Sequence, residues 1–328
     1  MNIIQEIANL AGVSVPTVYK VFSQNYSTGE EIKEKVMDAA QRLNYTPRKK
    51  GIKQNTGKKI VAVILSEVLN PFINTLIDAV TKELTHFQYE VIVLYSNENV
   101  AMEKDNIELV KSMNIDALIL GQVSGHRYPE VMEMANEGKK VIQLFTPVYD
   151  NLDTIMFDDA YGTYQAIKQL LTNGHRKIMM IYMDRPIMPK REPGYYRAFE
   201  EMGLVAEPEY LFQVCVQESI KGMIKEKINE LQPTAILAVN ESISIATIQA
   251  LNELGKKVPA DISMILYDDS PWKATMGYTA VAHPIDQVGN LCRTLIMKDD
   301  EKKLQAKQAP AKLVIDPMII SRNSVKIL

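Results

Sequence analysis

Cysteine is nearly absent from this chain. Among its 328 residues only Cys215 and Cys292 carry thiols, far apart and each inside an apolar stretch. They read as small buried hydrophobes, which excludes a disulfide framework and a cysteine metal site. Histidine is scarce too: His86, His126, His175 and His283 stand at no metal-ligand spacing. No Gly-x-Gly-x-x-Gly follows a strand pattern, no phosphate loop ends in Gly-Lys-Ser/Thr, and no Gly-x-Ser-x-Gly is present. The chain therefore offers no catalytic machinery, and no cofactor is expected. No apolar run approaches the roughly 18 residues of a membrane span. The start, Met1-Asn2-Ile3-Ile4-Gln5-Glu6, lacks the basic residues and long apolar stretch of a secretory signal. A cytoplasmic protein that is not an enzyme is the expectation.

What remains is ordinary in bulk, with 46% hydrophobic and 23% charged residues, and the length suits two or three domains at roughly 100 to 200 residues each. The net charge of −3 conceals an asymmetry. Residues 1–59 hold ten Lys/Arg against five Asp/Glu, while the rest holds 27 against 35. A small basic head on an acidic body points to a polyanion met by the head alone, since phosphate neutralisation is the sequence-independent part of DNA affinity. A solvated Lys-rich linker accounts for the charge equally well.

The head contains three short helical patterns. Ile3, Ile4, Ile7, Ala8 and Ala11 recur at helical spacing before Gly12 breaks the run, and Ser14 stands as an N-cap for a second helix with Pro16 in its first turn. Val18, Val21 and Phe22 form that helix's inward stripe, which leaves Val15, Pro16, Thr17, Tyr19 and Lys20 facing outward. A third helix starts at Thr28, with Glu31 completing a capping box, turns Ile32, Val36, Ala39, Ala40 and Leu43 inward, and stops before Pro47. Two helices joined by a tight Gly-containing turn and closed by a third form the helix-turn-helix plan.

From Lys59 onward, apolar runs alternate with amphipathic stretches. Ile60–Leu65, Val91–Tyr95, Ala117–Leu120, Val141–Phe145, Ile178–Tyr182, Phe212–Val216, Ala235–Val239 and Ile262–Tyr267 read as buried strands. Helical patterns such as Phe72–Phe87, Tyr164–Asn173, Tyr195–Met202, Ile220–Leu231 and Ile243–Leu254 lie between them. Such alternation implies parallel sheets covered on both faces. Two such units, meeting near residue 155, would leave a cleft at the C-terminal ends of their strands, where open α/β sheets bind ligands.

The run from Ile7 to Phe22, Ile-Ala-Asn-Leu-Ala-Gly-Val-Ser-Val-Pro-Thr-Val-Tyr-Lys-Val-Phe, followed by Tyr45-Thr46-Pro47, resembles the head of the lactose/galactose repressor (LacI/GalR) family. The resemblance extends along the body through Asn70-Pro71-Phe72, Gly174-His175-Arg176, Arg191-Glu192-Pro193-Gly194-Tyr195, Asn240-Glu241, Tyr267-Asp268-Asp269 and Ser321-Arg322-Asn323-Ser324. It implies an all-α helix-turn-helix head of residues 1–47, a hinge of residues 48–58, and a two-lobed periplasmic-binding-protein-like α/β core of residues 59–328. The N-terminal lobe would comprise about 59–154 plus 285–310, and the C-terminal lobe about 155–284 plus 311–325.

The function implied is DNA-binding transcription regulation, repression being the commoner outcome, by a homodimer on a two-fold symmetric operator. A small effector, by preference a carbohydrate, would bind between the lobes. The second helix would lie in the major groove with Ser14 at its start, Val15, Pro16 and Lys20 at base edges and Thr17 and Tyr19 at phosphates; Arg48, Lys49 and Lys50 would add backbone contacts. Lys20 can donate to guanine O6 and N7, whereas Val15 and Pro16 offer only apolar contact, for instance to a thymine methyl. Tyr19 replaces the small hydroxyl residue usual at its position. In most relatives the linker carries a hinge helix with a leucine wedge; here Gln54 stands at that position, Gly51 lies within the segment, and Ile52 is the large apolar residue left.

The resemblance places Phe72, Ile73, Tyr161, Arg191, Asn240, Asp268 and His283 around the cleft. Their chemistry suits a small polar ligand: Asp268 accepts from hydroxyls, Arg191 donates from a planar fork, Asn240 does both, and Phe72 or Tyr161 stacks on an apolar ring face. Each has a plainer role open to it. Phe72 can be core, Asp268 a loop cap, and Arg191 a surface charge beside Lys190. His175 and Asp116 read as structural, and Trp272 as packing. Other functions compete. A doubly wound enzyme would need catalytic motifs that are missing here; a transporter's solute-binding component would carry a secretory signal and have no use for a helix-turn-helix. A cytoplasmic α/β sugar-binding protein or enzyme with an accessory DNA-binding head is the alternative that stays open.

Overall fold

The computed structural model describes residues 3–22, 30–43, 45, 59–183, 191–214, 219–298 and 309–328. The chain falls into two compact units, Met1–Lys58 and Lys59–Leu328. Thr28, Thr46, Pro47, Arg48, Lys49, Lys50, Gly51, Ile52, Gln54 and Cys215, singled out in the sequence, lie outside the described residues.

The first unit holds α1 (Ile3–Ala11), α2 (Val15–Phe22) and α3 (Glu30–Arg42). Ile4, Ile7, Ala8, Val18, Val36, Ala39 and Ala40 make its core, with Val15, Val21, Phe22, Leu43 and Tyr45 partly buried against it. The turn between α1 and α2 depends on Gly12. Its φ of +64° closes α1 while Val13 N donates to Ala8 O at 3.0 Å, and a β-carbon would meet nothing there, so conformation rather than space selects glycine. Ser14 caps α2 through its carbonyl, which accepts from Thr17 and Val18; its hydroxyl pairs with that of Thr17 at 2.8 Å.

The second unit runs β1 (Lys59–Leu65), α4 (Pro71–His86), β2 (Tyr89–Tyr95), α5 (Val100–Ser112), β3 (Ala117–Leu120), α6 (Pro129–Asn136), β4 (Lys140–Leu144) and β5 (Asp153–Phe157). The chain then crosses into α7 (Asp159–Thr172), β6 (Ile178–Tyr182), α8 (Glu192–Glu201), β7 (Leu211–Gln213), α9 (Ile220–Leu231), β8 (Ala235–Ala238), α10 (Glu241–Glu253), β9 (Ser263–Tyr267), α11 (Pro271–Thr275) and β10 (Thr279–Ala282). It crosses back through α12 (Ile285–Met297) to β11 (Lys312–Ile315), and ends with β12 (Met318–Ile320).

Two six-stranded sheets result, in the orders β11-β5-β4-β3-β1-β2 and β12-β10-β9-β8-β6-β7. Among the described residues every strand pairing is parallel except β10 with β12. Central strands such as β3 and β8 are buried throughout, as continuous apolar runs covered on both faces require. Each lobe has its own core; Cys292 on α12 sits wholly inside the first, its thiol pushed up to about 12 by burial.

The lobe boundaries differ from the sequence expectation in two places. β5 completes the first sheet, so the first crossover follows Phe157 rather than residue 154. Residues 312–315, expected in the C-terminal lobe, form β11 beside β5 in the N-terminal one; only β12 returns to the second sheet. Both segments are short, and β11 at the sheet edge alternates exposed with covered residues, so neither carries the continuous apolar run that marks a central strand.

Candidate ligand cavity and nucleic-acid interface

Within the second unit a cavity of about 140 Å³ opens between the two sheets. Its lining residues leave the C-terminal ends of successive strands: Ser66 and Glu67 after β1, Glu98 after β2, Gln122 and Val123 after β3, Phe145 after β4, Phe157 at the end of β5, and Asp159 where the chain crosses into the other lobe. From the other lobe come Asn240 after β8, Asp268 after β9 and His283 after β10, with Arg191 ahead of α8. Parallel strands force this convergence, because every connection restarts from the same edge of its sheet.

The two walls differ in chemistry. The N-terminal lobe supplies Phe72, Phe145 and Phe157, whose ring centroids lie 5.9 to 6.1 Å apart, an aromatic face suited to stacking on a ring. Phe72 follows Pro71 in the first turn of α4, where the side-chain oxygen Oδ1 of the N-cap Asn70 accepts from Phe72 N at 3.1 Å. Phe145 is held at φ +71°, an unfavourable conformation for a bulky residue that turns it out at the end of β4. The loop bearing Gln122 and Val123 is pinned from behind by fully buried Glu103, which accepts from Ser124 Oγ at 2.7 Å and Tyr128 Oη at 2.8 Å.

The C-terminal lobe supplies a charged cluster. Arg191 donates to Val239 O at 2.7 Å and to Asp159 Oδ1 at 3.4 Å, and its guanidinium lies 4.2 Å from the centre of the Tyr267 ring. His283 donates from Nε2 to Asp159 Oδ1 at 3.1 Å, while Nδ1 sits 3.0 Å from Asp268 Oδ1 but off the hydrogen-bond line. Burial alone would drive His283 towards its neutral form; the carboxylates of Asp159 and Asp268 outweigh it and hold the imidazole up to about 9. Burial likewise opposes the Asp159 charge, and Arg191 with His283 prevails, keeping its carboxyl below the usual range. Asp268 adopts φ +61° and is braced by Lys273, wholly buried, whose Nζ donates to Tyr267 O at 2.7 Å and Asp268 O at 2.6 Å. Lys273 also pairs with Glu241 Oε2 at 2.7 Å, while Trp272 Nε1 donates to Glu241 Oε1 at 2.7 Å.

This juxtaposition of α7 and α8 depends on Gly194. A β-carbon there would lie 1.9 Å from Ala160 O and 2.7 Å from Tyr164 N, so only glycine lets the start of α8 rest on the first turn of α7 and bring Arg191 to Asp159.

Of the residues singled out in the sequence, Phe72, Ile73, Arg191, Asn240, Asp268 and His283 line the cavity. Tyr161 is not among its lining residues and stacks on Tyr164, centroids 5.9 Å apart. Arg191 is 9% exposed and so no surface charge. Asn240 caps α10, its side chain accepting from Ile243 N at 2.8 Å. His175 bonds Thr234 and Lys326 O, Asp116 accepts from Ile60 N, and Trp272 packs edge-on to Tyr278, all apart from the cavity. Sequence reasoning did not select Asp159, Glu241, Phe145 or Phe157. Asp159 could have been found as the residue after the N-cap Asp158 of a helix following a strand, and Glu241 through the Asn240-Glu241 motif; Phe145 and Phe157 carry no local signal.

In the first unit, Pro16, Tyr19 and Lys20 on α2 are exposed, Tyr19 at 54%, Val15 and Thr17 are half-covered, and Ser14 is exposed at the helix start. An exposed helix face with one cation, one phenol and small apolar groups can meet base edges and phosphates. Among the described residues no group could hold a metal ion and no helix is long and apolar enough to cross a membrane.

Residues 58–284 match the family described as periplasmic binding proteins and sugar binding domain of LacI family, and residues 3–48 match bacterial regulatory proteins, lacI family. The chain is 27% identical to the HTH-type transcriptional regulator DegA of Bacillus subtilis (strain 168), across 98% of this chain and 97% of that one. It is 26% identical to the HTH-type transcriptional repressor PurR of Vibrio vulnificus, across 99% of each. The fold is shared with a LacI family transcriptional regulator from Enterococcus faecium with bound ribose, at a TM-score of 0.69 and 21% identity, covering 82% of this chain and 100% of that one.

Proposed function

Because the chain belongs to the LacI family of bacterial regulatory proteins, we propose that it is a transcriptional repressor whose hold on a two-fold symmetric operator is set by a small carbohydrate bound in the cleft. That it is a DNA-binding regulator and not an enzyme follows from the family. The observation that carries the finer reading is the two-faced cavity. A sugar ring has an apolar face and an equator of hydroxyls; the wall of Phe72, Phe145 and Phe157 answers the first, and Asp268, Asn240 and Arg191 answer the second. Ribose in the relative of like fold supports the same ligand class.

In this reading residues 1–47 bind DNA, 48–58 form the hinge, and 59–328 sense the ligand and dimerise. Lys20 donates to a guanine edge, Val15 and Pro16 rest on thymine methyls, and Ser14, Thr17, Tyr19, Arg48, Lys49 and Lys50 hold phosphates. Two copies place two α2 helices on successive major grooves, and movement of the lobes on ligand binding changes the spacing of the heads. Selection from random duplexes by the full-length protein at near-physiological salt tests the reading. A palindrome of two half-sites is expected; recovery of duplexes with no shared sequence would refute it.

A further inference from the structure

Each cation around the cavity, among the described residues, already faces a carboxylate of the protein, although the buried Nε of Arg191 has no hydrogen-bond partner. Arg191 is turned onto Val239 O, Asp159 and the Tyr267 ring. Both nitrogens of His283 lie against carboxylates, and its side chain is 2% exposed. Lys273 is wholly buried on Tyr267 O, Asp268 O and Glu241. These three charges balance those of Asp159, Asp268 and Glu241. None of the three cations can turn to a new anion without leaving a buried carboxylate uncompensated. A hydroxyl, by contrast, meets acceptors on every side of the polar wall.

We infer that the site takes an uncharged polyhydroxyl ring and refuses the same molecule carrying a phosphate or carboxylate. The inference rests on the carbohydrate reading above and narrows it. Glu241 matters most for this selection. It is the lining carboxylate paired with a lysine that does not itself line the cavity, so its loss leaves the wholly buried Lys273 with an unmatched positive charge next to the lining.

Matched pairs probe this on the full-length protein: ribose and ribose 5-phosphate, glucose and glucose 6-phosphate, fructose and fructose 6-phosphate, screened by thermal shift and quantified by calorimetry. For whichever sugar binds, the phosphate ester should bind at least about 100-fold more weakly, the order of an uncompensated buried charge. Glu241→Gln should narrow that ratio by about tenfold, one charge being removed. A phosphate ester that binds as tightly as its parent sugar overturns the inference while leaving the carbohydrate reading intact. Silence from both members of every pair counts against the carbohydrate reading itself, and the inference falls with it.

Discussion

Replacing Gly194 with alanine inserts a methyl group where the structure has no room. The new β-carbon would sit 1.9 Å from Ala160 O, a carbonyl in the first turn of α7, and 2.7 Å from Tyr164 N. Ordinary contact needs about 3.4 Å, so α8 must retreat by roughly 1.5 Å or α7 must break its first turn. Neither obstacle is a flexible side-chain end. Overpacking of this kind costs about 3 kcal/mol or more when backbone must move. The retreat carries Arg191 with it and lengthens a contact to Asp159 that is already 3.4 Å. Urea unfolding of Gly194→Ala should show the C-terminal lobe destabilised by that amount, with ligand affinity down at least about tenfold. Gly222→Ala is the control. In α9 its β-carbon comes no closer than 3.5 Å to Ser219 Oγ, so it should be neutral or stabilising by up to about 1 kcal/mol. A Gly194→Ala protein as stable as the parent would refute the close-packing argument and the role given to it in placing Arg191.

Three more outcomes follow from the same geometry. His283 is raised from 6.5 to about 9 by its carboxylate neighbours against burial, so its contribution is fully present below pH 6.5 and is lost as pH rises through about 9. That gap corresponds to roughly 3 kcal/mol; denaturant midpoints should fall between pH 7 and 10 in the parent and stay flatter in His283→Gln. Phe72→Ala should weaken ligand binding by about 1–2 kcal/mol in calorimetry, as loss of a stacking face does, whereas Tyr161→Phe should leave it unchanged, because Tyr161 does not line the cavity. Lys20→Ala should lower operator affinity by about 1–3 kcal/mol and relax preference at one base pair per half-site, read by fluorescence anisotropy on operator variants.

The parts of this protein that were legible in its sequence are those with local causes. α1, α2 and the Gly12 turn follow from apolar spacing, a cap and one left-handed residue within 20 positions. The buried strands announce themselves because parallel sheets need continuous apolar runs. Arg191, Asn240 and Asp268 were reachable through short motifs at strand ends. What the sequence hides is set by crossovers. Asp159 matters because His283, 124 positions away, returns to it, and Lys273 matters because Glu241 lies beside it in space. Phe145 looked like a strand end and Phe157 fell in no expected strand; both became cavity wall only once β4 and β5 lay side by side. Tyr161, which the resemblance puts at the cleft, is not among the residues lining the cavity and stacks instead on Tyr164, one helical turn along.

The claim at the centre is that one molecule couples a cleft to an operator. Ligand affinity measured by calorimetry on full-length protein, alone and saturated with its selected operator duplex, addresses that coupling without assuming its sign. If ligand and DNA favour different states, the two affinities should differ by about 5- to 150-fold, and operator affinity should shift by the same factor when ligand is saturating. Identical ligand affinity in the presence and absence of operator would contradict the account.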